Sequence, residues 1–93
     1  MKLPTKYNLL SPGKRKIARE QYVKEQNGKC CYCGNLLSGP PSDKIKNQKV
    51  NRDLFPQGFF RWPIHLHHCH KTGLTIGAIH CYCNAVSWQY DKI

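Results

Sequence analysis

Apolar positions recur along this chain at two different spacings. From Lys14 to Asn27, Ile17, Ala18 and Tyr22, together with Gln21 and Gln26, keep helical spacing and predict a helix. Gly28 falls just past its end, where a left-handed residue closes a helix. Ahead of it, residues 1–13 carry Pro4 and Ser11-Pro12-Gly13 as breakers and read as a flexible basic lead. Farther on, Trp62 to His68 and Leu74 to Ile79 form two apolar runs joined at Lys71-Thr72-Gly73, the pattern of two strands in a hairpin. A short helix is expected from Ala85 to Tyr90. Residues 35–61, with Gly39-Pro40-Pro41-Ser42 and a lysine-rich stretch from Lys44 to Arg52, have no clear period and read as a long connector.

The hairpin holds unusual chemistry. All five histidines and three of the six cysteines lie between His65 and Cys83, a density that core packing does not require. On a strand, alternate side chains share a face, so His65, His67 and Cys69 would point one way and His68 and His70 the other. One face can then hold a metal while the other presents a base, since neutral imidazole both ligates and titrates near neutral pH.

Upstream, Cys30-x-x-Cys33 with Gly34 following forms half of a tetrahedral zinc site. Cys83 needs a partner at the same spacing, and that position is His80; Cys81 is the competitor. The favoured set is Cys30, Cys33, His80 and Cys83, with Cys31 and Cys81 left as small buried thiols. At 93 residues the chain is one small α+β domain in which a metal staple offsets a limited core.

Charge extends the picture to partners. The chain carries 15 Lys and Arg against 5 Asp and Glu, a net charge of +10. Such an excess suits a polyanion bound through phosphates, and the outer face of the first helix concentrates it in Lys14, Arg15, Lys16 and Arg19. Lys71 adds a positive charge at the hairpin turn. Met1 to Lys6 is short and polar, not a signal segment, and no run has the length of a membrane span, so the thiols are expected to be reduced and the protein cytoplasmic.

Together these residues resemble the HNH, or ββα-metal, nucleases, and especially the phage recombination endonuclease VII branch. The resemblance rests on Gln26-Asn27-Gly28-Lys29-Cys30 with Cys33, on Leu66-His67-His68-Cys69-His70-Lys71-Thr72-Gly73, and on Gly77 through Cys83-Asn84. It covers roughly residues 14–90, leaving out the lead and the connector. It implies a zinc-stapled, treble-clef-like ββα-metal fold with an N-terminal helix, and a single nuclease domain over 14–93.

By the same resemblance, His68 is the general base that deprotonates the attacking water. His67 falls where that branch usually has a metal-binding aspartate. Asn84 falls on the motif asparagine, as ligand or orienter, and His70 on a position associated with the scissile phosphate. The implied cofactors are a structural zinc and a catalytic divalent ion held by His67 and Asn84, one of Mn2+, Co2+, Ni2+ or Mg2+. The implied partner is DNA, with a homodimer or a larger phage protein complex in a host cell both open. The third motif histidine is missing from the last helix, where only Asp91 could substitute. A rival of another class is a non-catalytic zinc module that binds nucleic acid. Such a module needs the zinc ligands and the basic face but not His67, His68, His70 and Asn84, and their joint presence favours the enzyme.

Overall fold

A computed structural model describes residues 1–91, and Lys92 and Ile93 lie outside it. The first helix, α1, runs Pro12–Glu25, two residues earlier at each end than the apolar spacing predicts. Ser11 caps it by accepting from the Lys14 N–H, and Pro12 takes the first helical position, where its missing N–H costs nothing. The supposed breaker is therefore a start signal. At the other end Asn27 adopts φ 56° and Gly28 φ 75°. The Gly28 N–H reaches the Val23 carbonyl at 2.8 Å and the Asn27 N–H the Lys24 carbonyl at 3.2 Å, closing the helix with a paired carbonyl at each step.

Two strands, β1 (Ile64–His68) and β2 (Thr75–His80), pair antiparallel, with Ile64 opposite His80 and His67 opposite Gly77. Between His67 and His68 the register slips, because Thr75 rather than Ile76 faces His68. The turn closes with the Gly73 N–H on the Cys69 carbonyl at 2.7 Å. The next helix in contact with the sheet, α3, spans Cys81–Val86 and continues as a wider turn over Ser87–Asp91. It begins four residues before the sequence expectation, directly out of β2, so that Cys83 and Asn84 sit on the helix itself.

The N-terminal segment does not stand free of the domain. The Thr75 N–H donates to the Thr5 carbonyl at 2.9 Å and the Tyr7 N–H to the Gly73 carbonyl at 2.8 Å, which lays residues 5–7 along the edge of β2. Buried Thr75 also accepts from the Thr5 N–H and meets the Tyr22 hydroxyl of α1. The expected flexible lead is thus a third edge of the hairpin, held by backbone bonds that composition cannot reveal.

The connector is likewise structured. It contains a single helical turn, α2 (Asp43–Lys46), and a tight turn at Arg52–Leu54. Leu37 and Ile45 from this stretch join Cys30, Ala78, Ile79, Cys83 and Val86 in the core. Its path is pinned by the Gln89 side chain, which accepts from the Asn51 N–H at 3.0 Å and donates to the Lys49 carbonyl at 3.1 Å. The core is small, and two of its seven members are cysteines of the CxxC-type pairs. No helix among the described residues is long and apolar enough to cross a membrane.

Candidate metal centre and histidine cleft

The knuckle after α1 and the junction of β2 with α3 bring four side chains to one point. The ligand atoms of Cys30, Cys33, His80 and Cys83 all lie within 4.8 Å of one another. His80 Nδ1 is 3.5 Å from Cys33 Sγ and 3.6 Å from Cys83 Sγ. Zinc bond lengths in tetrahedral geometry put a nitrogen and a sulfur ligand about 3.6 Å apart, so the spacing fits. The tautomer fits as well. His80 Nε2 donates to the carbonyls of Leu36 and Gly39 at 2.9 and 3.0 Å, which leaves Nδ1 with its lone pair directed at the sulfurs.

One of the sulfurs is prepared to give up its proton. The Cys83 thiol hydrogen-bonds to Cys30, and the backbone N–H groups of Cys33, His80 and Tyr32 act in the same direction against the cost of burial, lowering Cys30 to about 4. The same shared hydrogen bond raises Cys83 far above the thiol range. One thiolate and one thiol share a proton that a bound metal would displace. Three thiolates and one imidazole are a donor set suited to zinc.

Neither competing cysteine joins this group. Cys31 is exposed and Cys81 half-buried, where both were expected as buried thiols. Each is adjacent in sequence to a ligand and so is turned away from it. Cys69 also stays apart, in the hairpin turn, with its thiol lowered by hydrogen bonding to Thr72.

On the neighbouring part of β1, His65 and His67 share one partner as alternation predicts, but the strand ends at His68 after a register slip, and His65 lines the same cleft as His68 and His70. Asn84, on the first turn of α3, sits between His65 and His67. Its Oδ1 is 3.2 Å from His67 Nδ1 and its Nδ2 is 3.1 Å from His65 Nδ1. With the amide so oriented, His65 accepts and His67 donates, which leaves His67 Nε2 as that ring's lone-pair nitrogen. His68 instead stacks on Tyr7, ring centroids 3.9 Å apart and nearly parallel, and lies 4.7 Å from His70. Burial lowers the pKa of His65, His67 and His68, and the neighbouring His70 lowers those of His67 and His68 further. A lowered value keeps the imidazole neutral near pH 7, the form that ligates or accepts a proton.

A cleft of about 950 Å³ opens over His65, His68, His70 and Asn84. Arg15, Lys16 and Arg19 of α1 line it, whereas Lys14 does not, and Lys71 lines a separate recess with Lys6 and His70. Arg15 packs its guanidinium 4.0 Å from the Tyr7 ring centre, so the stack runs from α1 through Tyr7 to His68 on β1. Asp91, the candidate substitute for a third motif histidine, is hydrogen-bonded to Tyr32 of the knuckle instead.

Two participants were not singled out from the sequence. His65 was placed on the face of His67 by alternation, but its bond to Asn84 depends on where α3 starts. Tyr7 carried no signal at all, because a lone tyrosine in a basic lead has no periodic context. Comparison with protein-family models, with curated protein sequences and with solved structures gives no match. On its own geometry, the chain is a small α+β protein with a two-stranded antiparallel sheet and a Cys3His cluster that could hold a metal such as zinc.

Proposed function

We propose that this chain is a metal-dependent DNA endonuclease of the HNH type, its zinc-stapled hairpin and α3 forming a treble-clef-like ββα unit. The observation that carries the reading is the meeting of Asn84 with His67 at 3.2 Å, with His68 next in sequence and inside a cleft lined by Arg15 and Arg19. A binding module needs neither a neutral, partly buried histidine in its cleft nor a second histidine oriented by an amide. A hydrolase uses both.

In the proposed reaction His68 removes a proton from a water whose oxygen attacks phosphorus. The bond from phosphorus to O3′ breaks, leaving a 3′-hydroxyl and a 5′-phosphate. Stacking on Tyr7 fixes the plane of His68, and His70 beside it is in reach of a phosphate oxygen. Arg15, Lys16 and Arg19 bind flanking phosphates. Asn84 orients the His67 ring, and the free Nε2 of His67 would hold a divalent ion, whose positive charge would offset the charge developing on the leaving oxygen. The Cys3His zinc is structural, since its four donors leave no open position.

The test is incubation of purified zinc-loaded protein with supercoiled plasmid across divalent ions, beside His68→Ala. The parent nicks the plasmid, and His68→Ala loses about 100-fold or more in rate while its DNA affinity stays within about twofold. Nicking by His68→Ala at the parent rate ends the assignment. Tight binding with no nicking in any metal returns the chain to the class of non-catalytic zinc modules.

A further inference from the structure

The connector side of the large cleft has no task in the hydrolysis. Phe55 gathers a cluster there, its ring centroid 4.7 Å from Phe59 and 5.5 Å from Trp88. A satellite core would hide such rings, yet Trp62 is 64% and Trp88 39% exposed, and both line the cleft with Phe55 and Phe59. Phe59 also meets His65 edge-on at 4.8 Å, which ties this wall to the Asn84 and His67 pair. From α1 the same cleft receives Arg15, Lys16 and Arg19. Exposed aromatic surface and clustered cations in one cleft, with the Arg61 guanidinium 5.3 Å from the centre of the Trp62 ring, are complementary to a chain with flat apolar faces and regular negative charge. Bases within a duplex spend their faces on each other, while unpaired bases have them free for aromatic side chains.

We propose that this cleft takes an unpaired nucleic-acid strand, with phosphates on the α1 cations and at least one base stacked on Trp62. The assignment rests on the reading of the chain as one that acts on nucleic acid, and it narrows the substrate to single strands, or to duplexes with an unpaired stretch at the site of cutting. An apolar peptide or a lipid surface would use the rings but leave three cations of the same cleft without partners, in a protein of net charge +10.

The experiment is equilibrium binding, by anisotropy of labelled 15-mers, to zinc-loaded protein with no other divalent ion added. The probes are oligo-dT, oligo-rU and a blunt duplex. Trp62→Ala, at an exposed position that does not threaten folding, is expected to weaken single-strand binding about tenfold and duplex binding less than twofold. Trp62→Phe keeps a ring and is expected to restore single-strand affinity to within about threefold of the parent. Trp62-dependent binding of either single strand supports the cleft, and the tighter of the two names its sugar. A Trp62→Ala variant that weakens single strand and duplex alike, or neither, overturns it. Binding is read without cleavage, so Trp62-dependent single-strand binding by a protein that never nicks plasmid keeps this assignment and loses the hydrolytic one. Plasmid nicking with Trp62-independent binding does the reverse.

Discussion

The side-chain amide of Gln26 pairs with both backbone polar groups of Ala78, accepting from its N–H at 2.9 Å and donating to its carbonyl at 2.9 Å, as a neighbouring strand would. The same Nε2 donates to the Lys29 carbonyl at 2.7 Å, so one side chain joins the end of α1, the start of the knuckle and the middle of β2. The approach requires glycine beside it. A Cβ at Gly77 would stand 2.6 Å from Gln26 Oε1 and 3.0 Å from the Cys31 Cβ.

Gln26→Ala therefore leaves the N–H of fully buried Ala78 without its partner and is expected to cost about 2 kcal/mol. For a domain of this size that lowers the melting temperature by roughly 10 °C. Gly77→Ala forces the same contact apart from the other side and should destabilise by a similar amount. Thermal unfolding of both variants checks this, and a melting temperature within about 2 °C of the parent for Gln26→Ala would remove the amide clamp from the account.

The metal centre makes a sharper prediction. One zinc per chain is expected, and chelation should unfold the domain, because Cys30 and Cys83 belong to both the cluster and the small core. His80→Ala should release zinc, while Cys81→Ser and Cys31→Ser should retain it, since neither thiol is in the cluster. Metal content after gel filtration decides it. Zinc lost from Cys81→Ser and kept by His80→Ala would put the fourth ligand elsewhere.

The elements legible in the sequence are those with strong local signals. The hairpin, α1 and the choice of His80 over Cys81 follow from periodicity and ligand spacing, which act over a few residues. What was not legible depends on long-range contacts. Thr5 and Tyr7 are held by Thr75, Gly73 and His68, and nothing in the lead announces a sheet edge. Ile17 keeps inner helical spacing yet is 54% exposed, because the buried stripe of α1 runs through Ala18, Tyr22 and Gln26, with Arg15 and Arg19 half-buried along its edge. Leu37 and Ile45 reach the core from a connector whose course is set by Gln89 far downstream.

That rotation of α1 separates its cations by position. Arg15, Lys16 and Arg19 line the cleft, and Lys14 does not. Replacing those three by glutamine should weaken binding to unrelated DNA sequences alike and reduce the slope of log affinity against log salt by about 2 to 3. Lys14→Gln alone should change the slope by less than about 0.5. A triple variant with the parent slope would return this face to ordinary solvation.

The metal preference of the proposed hydrolysis follows from the donors available. The donor at the proposed ion site is His67 Nε2, its ring oriented by the Asn84 amide, and both side chains are neutral. Between Asp53 and Asp91 the sequence has no acidic residue at all. Magnesium favours hard anionic oxygen and binds imidazole poorly, whereas manganese, cobalt and nickel accept mixed nitrogen and oxygen donors in octahedral geometry. Nicking is therefore expected to be faster with manganese, cobalt or nickel than with magnesium at equal low concentration. His67→Asp places a carboxylate beside Asn84 and should move the preference towards magnesium, a shift in the ratio of rates that simple loss of folding would not produce. Rates measured across the four ions for both proteins test it. A parent that works best in magnesium, with His67→Ala fully active, would remove His67 from the ion site.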